Sequence, residues 1–303
     1  MKRDHRAPAT LPDGAALPAA TARHSGVAQA GTAPQAPETM ADPCAAACRR
    51  TPLLIVGSRG RMGAMLLARA AAAGLNARGV DQPLTPAALA PACADAGLVL
   101  LCVPAAVVPA TLALLTPHVP PSAVLADITS VKERPLRQME EAWPGPVVGT
   151  HPLFGPKPDP SGPLPVAIVP GRRAPATALA LVEGFYHALG FQTFRTTART
   201  HDEAMARIQS MNFITNLAYF ALLAGQDDLL PFLTPSFRRR RDAARKMLTE
   251  DAALFTGLFE ANPHSYEAVR QYRQMLNLAA AGDVDLLCQR ARWWWPEDGE
   301  ERH

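Results

Sequence analysis

The chain has almost no net charge to offer a polyanion: 30 Lys and Arg stand against 27 Asp and Glu, leaving +3 at neutral pH. The small excess is evenly spread, which argues against a nucleic-acid partner, because a phosphate backbone needs a concentrated basic surface. Cysteine is scarce and odd in number, five in 303 residues, and no secretory signal accompanies it. That excludes a disulfide scaffold and makes a reducing cytoplasm the expected compartment. Cys44 and Cys48 are separated by three alanines with no second ligand pair after them, so they do not read as a zinc site. An uninterrupted membrane span is also missing. The uncharged run 98–116 has the length, but Pro104 and Pro109 divide it into a buried strand, LVLLCV, and a helix from about Ala106. No internal repeat is visible.

Proline is what the chain has in excess, 30 residues, about twice the usual share. Much of it lies in residues 1–50 among Ala, Thr and Gly, with almost no large apolar side chains. Such a segment cannot offset its ordering entropy by burial and is expected to be a disordered tail. Lys2, Arg3 and Arg6 do not make it a targeting peptide, because no apolar stretch follows and Asp4 and Asp13 interrupt.

From Pro52 the pattern changes. LLIVG (53–57) reads as a buried strand, 61–74 as a helix closed by Gly74, and LNARGVD (75–81) as a second strand. Thr85 is placed to cap a short helix running through Ala94. LVLLCV (98–103), SAVLADI (122–128) and PVVG (146–149) add strands, and 132–142 reads as a helix with Pro135 in its first turn. PVAIVP (165–170), a helix near 174–189 and FQTF (191–194) extend the series. Strands alternating with helices predict an α/β fold with a doubly wound parallel sheet. After Thr200 the strands stop: 201–224, 236–260, 264–281 and 284–295 all read as helices. The expected organisation is a dinucleotide-binding domain over 51–198 and an all-helical domain over 199–303.

The first strand runs into Gly57-Ser58-Arg59-Gly60-Arg61-Met62-Gly63, and a helix comes next. Glycines tighten such a turn and let backbone amides approach a pyrophosphate, which the positive end of the helix then faces. Asp81, at the end of the second strand, stands where a carboxylate binds the adenosine ribose hydroxyls in a Rossmann-type fold. A carboxylate there repels a 2′-phosphate, which favours NAD over NADP. The loop departs from the usual spacing. Either Ser58 occupies the first glycine position, or the loop read from Gly57 is one residue longer.

Two polar segments, 127–132 and 149–156, come after predicted strands and therefore face the ligand edge of the sheet. His151 is the candidate general base, its ordinary pKa being near 6.5. Pro152 and Pro156 stiffen the loop that carries it. Lys132 is expected to attract a carboxylate or a cofactor phosphate, and Ser130 to hydrogen-bond the imidazole or the substrate.

Taken in order, IVGSRGRMG, Asp81-Gln82, CVP at 102–104, DITSVK, GTHPLFGP, HDEAMARIQ at 201–209, LTPSFR at 233–238 and TEDAALF at 249–255 resemble the prephenate dehydrogenase family. The likeness covers about 52–295 and is nearest the dehydrogenase half of the bacterial bifunctional chorismate mutase–prephenate dehydrogenases. It implies NAD-dependent oxidative decarboxylation of prephenate to 4-hydroxyphenylpyruvate, on the route to tyrosine. It implies that His151 is catalytic, with Ser130 and Lys132 beside nicotinamide and substrate, and that Val103 and Pro104 join the cofactor loop. It further implies a helical domain that closes over the substrate and forms a homodimer, with His201, Gln209 and Arg238 at the cleft. His201, Met205, Ile208, Gln209 and Asn212 share one helical face, Met205 and Ile208 as its core stripe.

Two positions depart from the family pattern. Phe213 stands where a second histidine is common, and Lys246 where an arginine grips a substrate carboxylate; a lysine keeps the charge but not the bidentate geometry. Arogenate as substrate and a non-catalytic nucleotide-binding homologue are the alternatives. No chorismate mutase segment is expected before the match and no regulatory domain after it.

Overall fold

Short runs of aliphatic side chains with helices between them bury best on both faces of a parallel sheet. The computed structural model describes residues 48–159 and 161–295 and has that architecture. Strands β1 (Leu53–Val56), β2 (Ala77–Val80), β3 (Leu98–Leu101), β4 (Val124–Asp127), β5 (Val147–Pro152), β6 (Pro165–Pro170) and β7 (Gln192–Arg195) form one sheet in the order β2-β1-β3-β4-β5-β6-β7. The first five are parallel, β6 runs antiparallel to β5, and β7 is parallel to β6. The parallel sheet expected throughout therefore turns over at one edge. Its cause is local: the described residues between Pro152 and Pro165 contain no helix, and a strand that returns without a crossover must pair antiparallel.

Helices α1 (Arg61–Ala72), α2 (Pro86–Cys93), α3 (Val108–Leu115), α4 (Glu133–Ala142) and α5 (Ala176–Ala188) cover the two faces. Strand side chains alternate between the layers. Leu53, Ile55, Leu98 and Leu100 pack with Leu66 of α1 and Phe185 of α5. Leu54, Val56, Val99 and Leu101 pack with Leu89, Leu112 and Met139 of α2, α3 and α4. Thr85 caps α2 through the Ala88 amide, as its sequence position predicts. The uncharged run 98–116 divides into β3, a short 3-10 turn and α3, and no described helix is long and apolar enough to cross a membrane.

Most of the segment expected to be disordered, 1–47, lies outside the described residues. Its last three residues correct the expectation: 48–50 are helical, and Cys48 is fully buried in the core with Leu53 and Leu75. A small apolar thiol suits that burial.

From Ala198 the chain is helical: α6 (Ala198–Met205), a five-residue π segment (Ala206–Ser210), α7 (Met211–Leu222), α8 (Pro235–Thr249), α9 (Ala252–Ala261), α10 (Ser265–Ala280) and α11 (Val284–Ala291). The helix expected over 236–260 is two helices, because the amides of Glu250 and Asp251 both turn back to the Lys246 carbonyl and end α8. The π segment interrupts the helix expected over 201–224 and breaks the shared face predicted for it. Met205 is 8% exposed, whereas Ile208, expected in the core stripe, is 64% exposed. A π turn adds a residue to one turn and so rotates the next stretch of helix by about 100°. Sheet and helices pack as one compact unit.

Candidate active site

The glycine loop is shaped by close approach. Gly57 has φ +84°, and a Cβ on it would stand 2.5 Å from the Cys102 carbonyl oxygen. A Cβ on Gly63 would meet the Gly57 carbonyl at 2.2 Å, so α1 packs against the loop only with glycine there. Ser58, the departure from the usual spacing, is accommodated by Gly79 of β2, where a Cβ would lie 2.4 Å from the Ser58 Cβ. Gly60 caps α1 without a side chain, and no acidic residue stands in the helix's first turn. Its leading N–H groups thus have no side-chain acceptor, the arrangement that receives a phosphate anion. Val103 packs on Gly57, and Pro104 opens the 3-10 turn beside it.

Asp81 comes directly after β2. Its Oδ2 accepts the Arg59 amide at 2.7 Å, and its Oδ1 accepts the Gln82 amide at 2.7 Å. The Arg59 N–H bond, then that of Gln82 and the nearby guanidinium, hold the carboxyl below the usual carboxylate range against the opposing effect of burial. A carboxylate has about four acceptor sites, so sites remain for ribose hydroxyls. Loop, bare helix end and ionised carboxylate together fit a dinucleotide.

At the adjoining strand ends, β4 and β5 pair with Asp127 opposite Gly149. Lys132 corrects an expectation here. It is wholly buried, and its three ammonium protons are all engaged, by Asp127 Oδ1 at 2.8 Å, Asp127 Oδ2 at 2.7 Å and the Thr150 carbonyl at 2.5 Å. Burial lowers its pKa while Asp127 opposes that shift. An ammonium with every donor used inside the protein does not attract a ligand's phosphate or carboxylate; it ties β4 to β5. The Thr150 hydroxyl adds a second tie by donating to the Asp127 carbonyl at 2.5 Å and takes the Tyr186 hydroxyl at 2.6 Å. Ser130 is half-buried in the loop after β4.

His151 lies one residue before the end of β5, which runs on through Pro152; it sits on a strand, not on the expected loop. The ring is buried, and its Nδ1 lies 2.9 Å from His201 Nε2. His201 Nδ1 lies 2.8 Å from Asp202 Oδ1. Asp202, also buried, accepts the amides of Lys132 at 2.7 Å and Glu133 at 2.9 Å, which caps α4. A carboxylate can only accept, so His201 carries a proton on Nδ1. Between the two rings one nitrogen donates and the other accepts; when His151 donates from Nδ1, its own Nε2 is a free base. Burial, then the neighbouring His201 and the Lys132 charge, lower the His151 pKa well below 6.5.

Both ring nitrogens of His201 are engaged inside the protein, Nε2 by His151 and Nδ1 by Asp202. Asp202 was missed in the sequence, although it adjoins His201 in the HDEAM segment. Asp127 and Thr150 were missed in the same way.

The other candidates lie on the helical part of the chain. Gln209 is half-exposed in the π segment, and Arg238 is exposed near the start of α8. Lys246 lies 3.9 Å from Asp251, which also takes Arg61 of the glycine loop at 3.0 Å. Lys246 and Asp251 border a cavity of about 480 Å³ whose lining also includes Asn212, Asn216, Arg240 and Phe255. Phe213 is buried and stacks on Phe255 with centroids 5.7 Å apart, so the position of the family's second histidine belongs here to an apolar stack.

The family profile for the prephenate dehydrogenase nucleotide-binding domain matches residues 69–187. A T-protein of Enterobacter agglomerans is 30% identical over 237 residues, 76% of this chain and 62% of that protein. A T-protein of Haemophilus influenzae is 26% identical over 261 residues, 82% of this chain and 68% of that protein. The chain thus spans about three fifths of the first of these relatives. Among solved structures, prephenate dehydrogenase from A. aeolicus in complex with hydroxyphenyl propionate and NAD+ has TM-score 0.65 at 18% identity, covering 80% of this chain and 95% of that one. At that identity the likeness is one of fold.

Proposed function

Because the chain belongs to the prephenate dehydrogenase family, we propose that it converts prephenate to 4-hydroxyphenylpyruvate and CO₂ with NAD as the oxidant, in tyrosine biosynthesis. NAD held by the glycine loop would supply the hydride acceptor for the ring carbon that bears the hydroxyl. The ring carboxylate departs as CO₂ while the ring becomes aromatic. His151 takes the hydroxyl proton on Nε2, the ring nitrogen that His201 does not engage. His201 and Asp202 orient that ring and are positioning residues. Lys132 and Asp127 hold the strand end beneath it. The glycine loop, Asp81, Val103 and Pro104 hold the cofactor, and Ser130 bonds the imidazole or the substrate. Lys246 draws a substrate carboxylate, with Gln209 and Arg238 at the rim.

The observation that supports this reading is the His151–His201–Asp202 chain at the ligand edge of a sheet whose first loop fits a dinucleotide. The test mixes purified protein with NAD and either prephenate or arogenate and tracks the reduced cofactor by absorbance. Prephenate is expected to be turned over, and His151→Asn to lower kcat by about 10²–10⁴-fold, the usual worth of a general base. Turnover of arogenate alone would reassign the substrate. Silence with both, while nucleotide binds, would leave a non-catalytic homologue.

We also place the division between cofactor-binding and helical domains at Ala198, the protein in the cytoplasm, and its working form as a homodimer joined through the helical domain. Free thiols at Cys48, Cys93, Cys102 and Cys288 support the compartment. The apolar surface of the helices supports the dimer: of seventeen large hydrophobic side chains exposed among the described residues, fourteen lie between Ile208 and Trp295.

A further inference from the structure

Asp202 is also held from the side away from His201. Its Oδ2 accepts the Glu133 amide at 2.9 Å, and Glu133 Oε1 lies 2.7 Å from His264 Nε2. The His264 amide donates to Asn262 Oδ1 at 2.9 Å, and Asn262 Nδ2 donates to the Asp202 carbonyl at 2.8 Å. These four residues close a ring of hydrogen bonds that begins and ends at Asp202. The ring joins the start of α4, the last turn of α6 and the corner between α9 and α10. Asn262 is 2% exposed, and its amide serves in both senses, N–H toward a carbonyl and C=O toward an N–H. Turning such a buried side chain would leave two polar groups unsatisfied, so it fixes its neighbours. The same corner makes a second tie, between the buried hydroxyls of Ser265 and Ser210 at 3.0 Å. Asp202 precedes the π segment and Ser210 closes it, so the corner grips that segment at both ends.

We propose that Asn262 is a positioning residue for the reaction, acting with His264 and Glu133 through Asp202 on the His201–His151 pair. Asp202 is then held at two points, its carboxylate by the amides of α4 and its main chain by Asn262. A carboxylate held twice neither turns nor withdraws, so His201 stays in line with it and His151 stays in line with His201. The proposal rests on His151 as the base and extends that reading to a corner 60 residues beyond Asp202. That corner lies past TEDAALF, the last motif of the resemblance.

Steady-state rates with NAD and the substrate that the unaltered chain turns over, beside NADH binding read from nicotinamide fluorescence, test this in the full chain. Asn262→Ser retains an acceptor for the His264 amide, hence the cap of α10, but is too short to reach the Asp202 carbonyl. It is expected to lower kcat by about tenfold or more, the scale of a small misplacement at a reacting group, with NADH affinity kept within about twofold. His264→Ala, at a half-buried position, opens the ring elsewhere and should act in the same way. His264→Gln, whose amide reaches about as far as the imidazole Nε2, should recover part of that loss. A readout without substrate is the His201 Nδ1 proton, held between the ring and the buried carboxylate. Its downfield proton resonance, identified by its disappearance in His201→Gln, should shift or broaden in Asn262→Ser and in His264→Ala. Retention of kcat within about twofold in both variants, or a resonance unmoved in both, would overturn the proposal. So would a loss of NADH affinity equal to the loss of kcat, which marks a structural role alone. If His151→Asn leaves kcat unchanged, the base reading falls and the proposal with it. If His151→Asn lowers kcat while the ring variants do not, the proposal falls by itself.

Discussion

At the scale of single residues, the site turns on which imidazole nitrogen is free. In the proposed reaction the neutral ring is the base, and burial, then His201 and the Lys132 charge, lower the His151 pKa well below 6.5. On lowering the pH from neutrality, kcat/KM is therefore expected to stay flat through 6.5 and to fall only below it. An acid limb centred at or above 6.5 would remove His151 as the titrating base. Stability should move with the same depression: the unfolded ring gains its proton near 6.5 while the folded ring does not. The contribution of His151 is therefore whole above that pH and is lost as the pH falls toward the folded value.

Much of this was legible in the sequence, because glycine spacing, Asp81 and GTHPLFGP are short-range signals. What stayed hidden was depth. Lys132 reads as a charge on paper, and only the packing shows all its donors turned inward. Asp202 adjoins a candidate histidine, yet no spacing rule foretells that one carboxylate caps α4 and, through His201, is linked to a ring 50 residues earlier in the chain than that histidine. The Ser58 departure became intelligible through Gly79, a contact between β2 and the loop that a linear motif cannot display.

At the scale of elements, existence was easier to read than continuity. Each strand of the cofactor-binding part was expected, because aliphatic runs bounded by turns carry a strong signal. The reversal at β6 was not, since a run buried on both faces reads alike in either direction. The π segment escaped for a related reason: apolar positions recur on both sides of it, and one additional residue in a turn leaves no compositional mark. The join between elements is where Lys132 matters. It fastens the ends of β4 and β5 through Asp127 and the Thr150 carbonyl, just before His151. Lys132→Met would leave the Asp127 carboxylate buried without its cation, a loss of about 3–5 kcal/mol for a broken buried pair. Urea unfolding monitored by circular dichroism checks this. A change below about 1 kcal/mol, the range of an exposed ion pair, would mean that the ammonium is not the lock between the strands.

At the scale of the whole molecule, the two halves are unequally buried. The sheet with its helices holds nearly all of the apolar core, whereas from α6 onward the buried hydrophobic residues are Met205, Ala206, Phe213, Ala244 and Ala268. These helices offset little of their ordering entropy with so little burial. The missing burial has a place to go. A groove of about 770 Å³, lined by Ile208, Met211, Tyr272 and Met275 among others, lies between the start of α7 and α10, and Leu276 of α10 is exposed nearby in sequence. A second copy supplies an identical apolar face, and two-fold pairing is the commonest way such a face is covered. Light scattering after size exclusion is therefore expected to give twice the chain mass of 32.3 kDa. Tyr272 and Leu276 stand four residues apart on one face of α10. Replacing both, Tyr272→Glu with Leu276→Glu, should drive the protein toward one chain mass and lower the melting temperature of the helices, because the face they would share returns to water. A single-chain mass for the unaltered protein at micromolar concentration, with its helical signal intact, would show that the helices stand without a partner copy and would end the dimer reading.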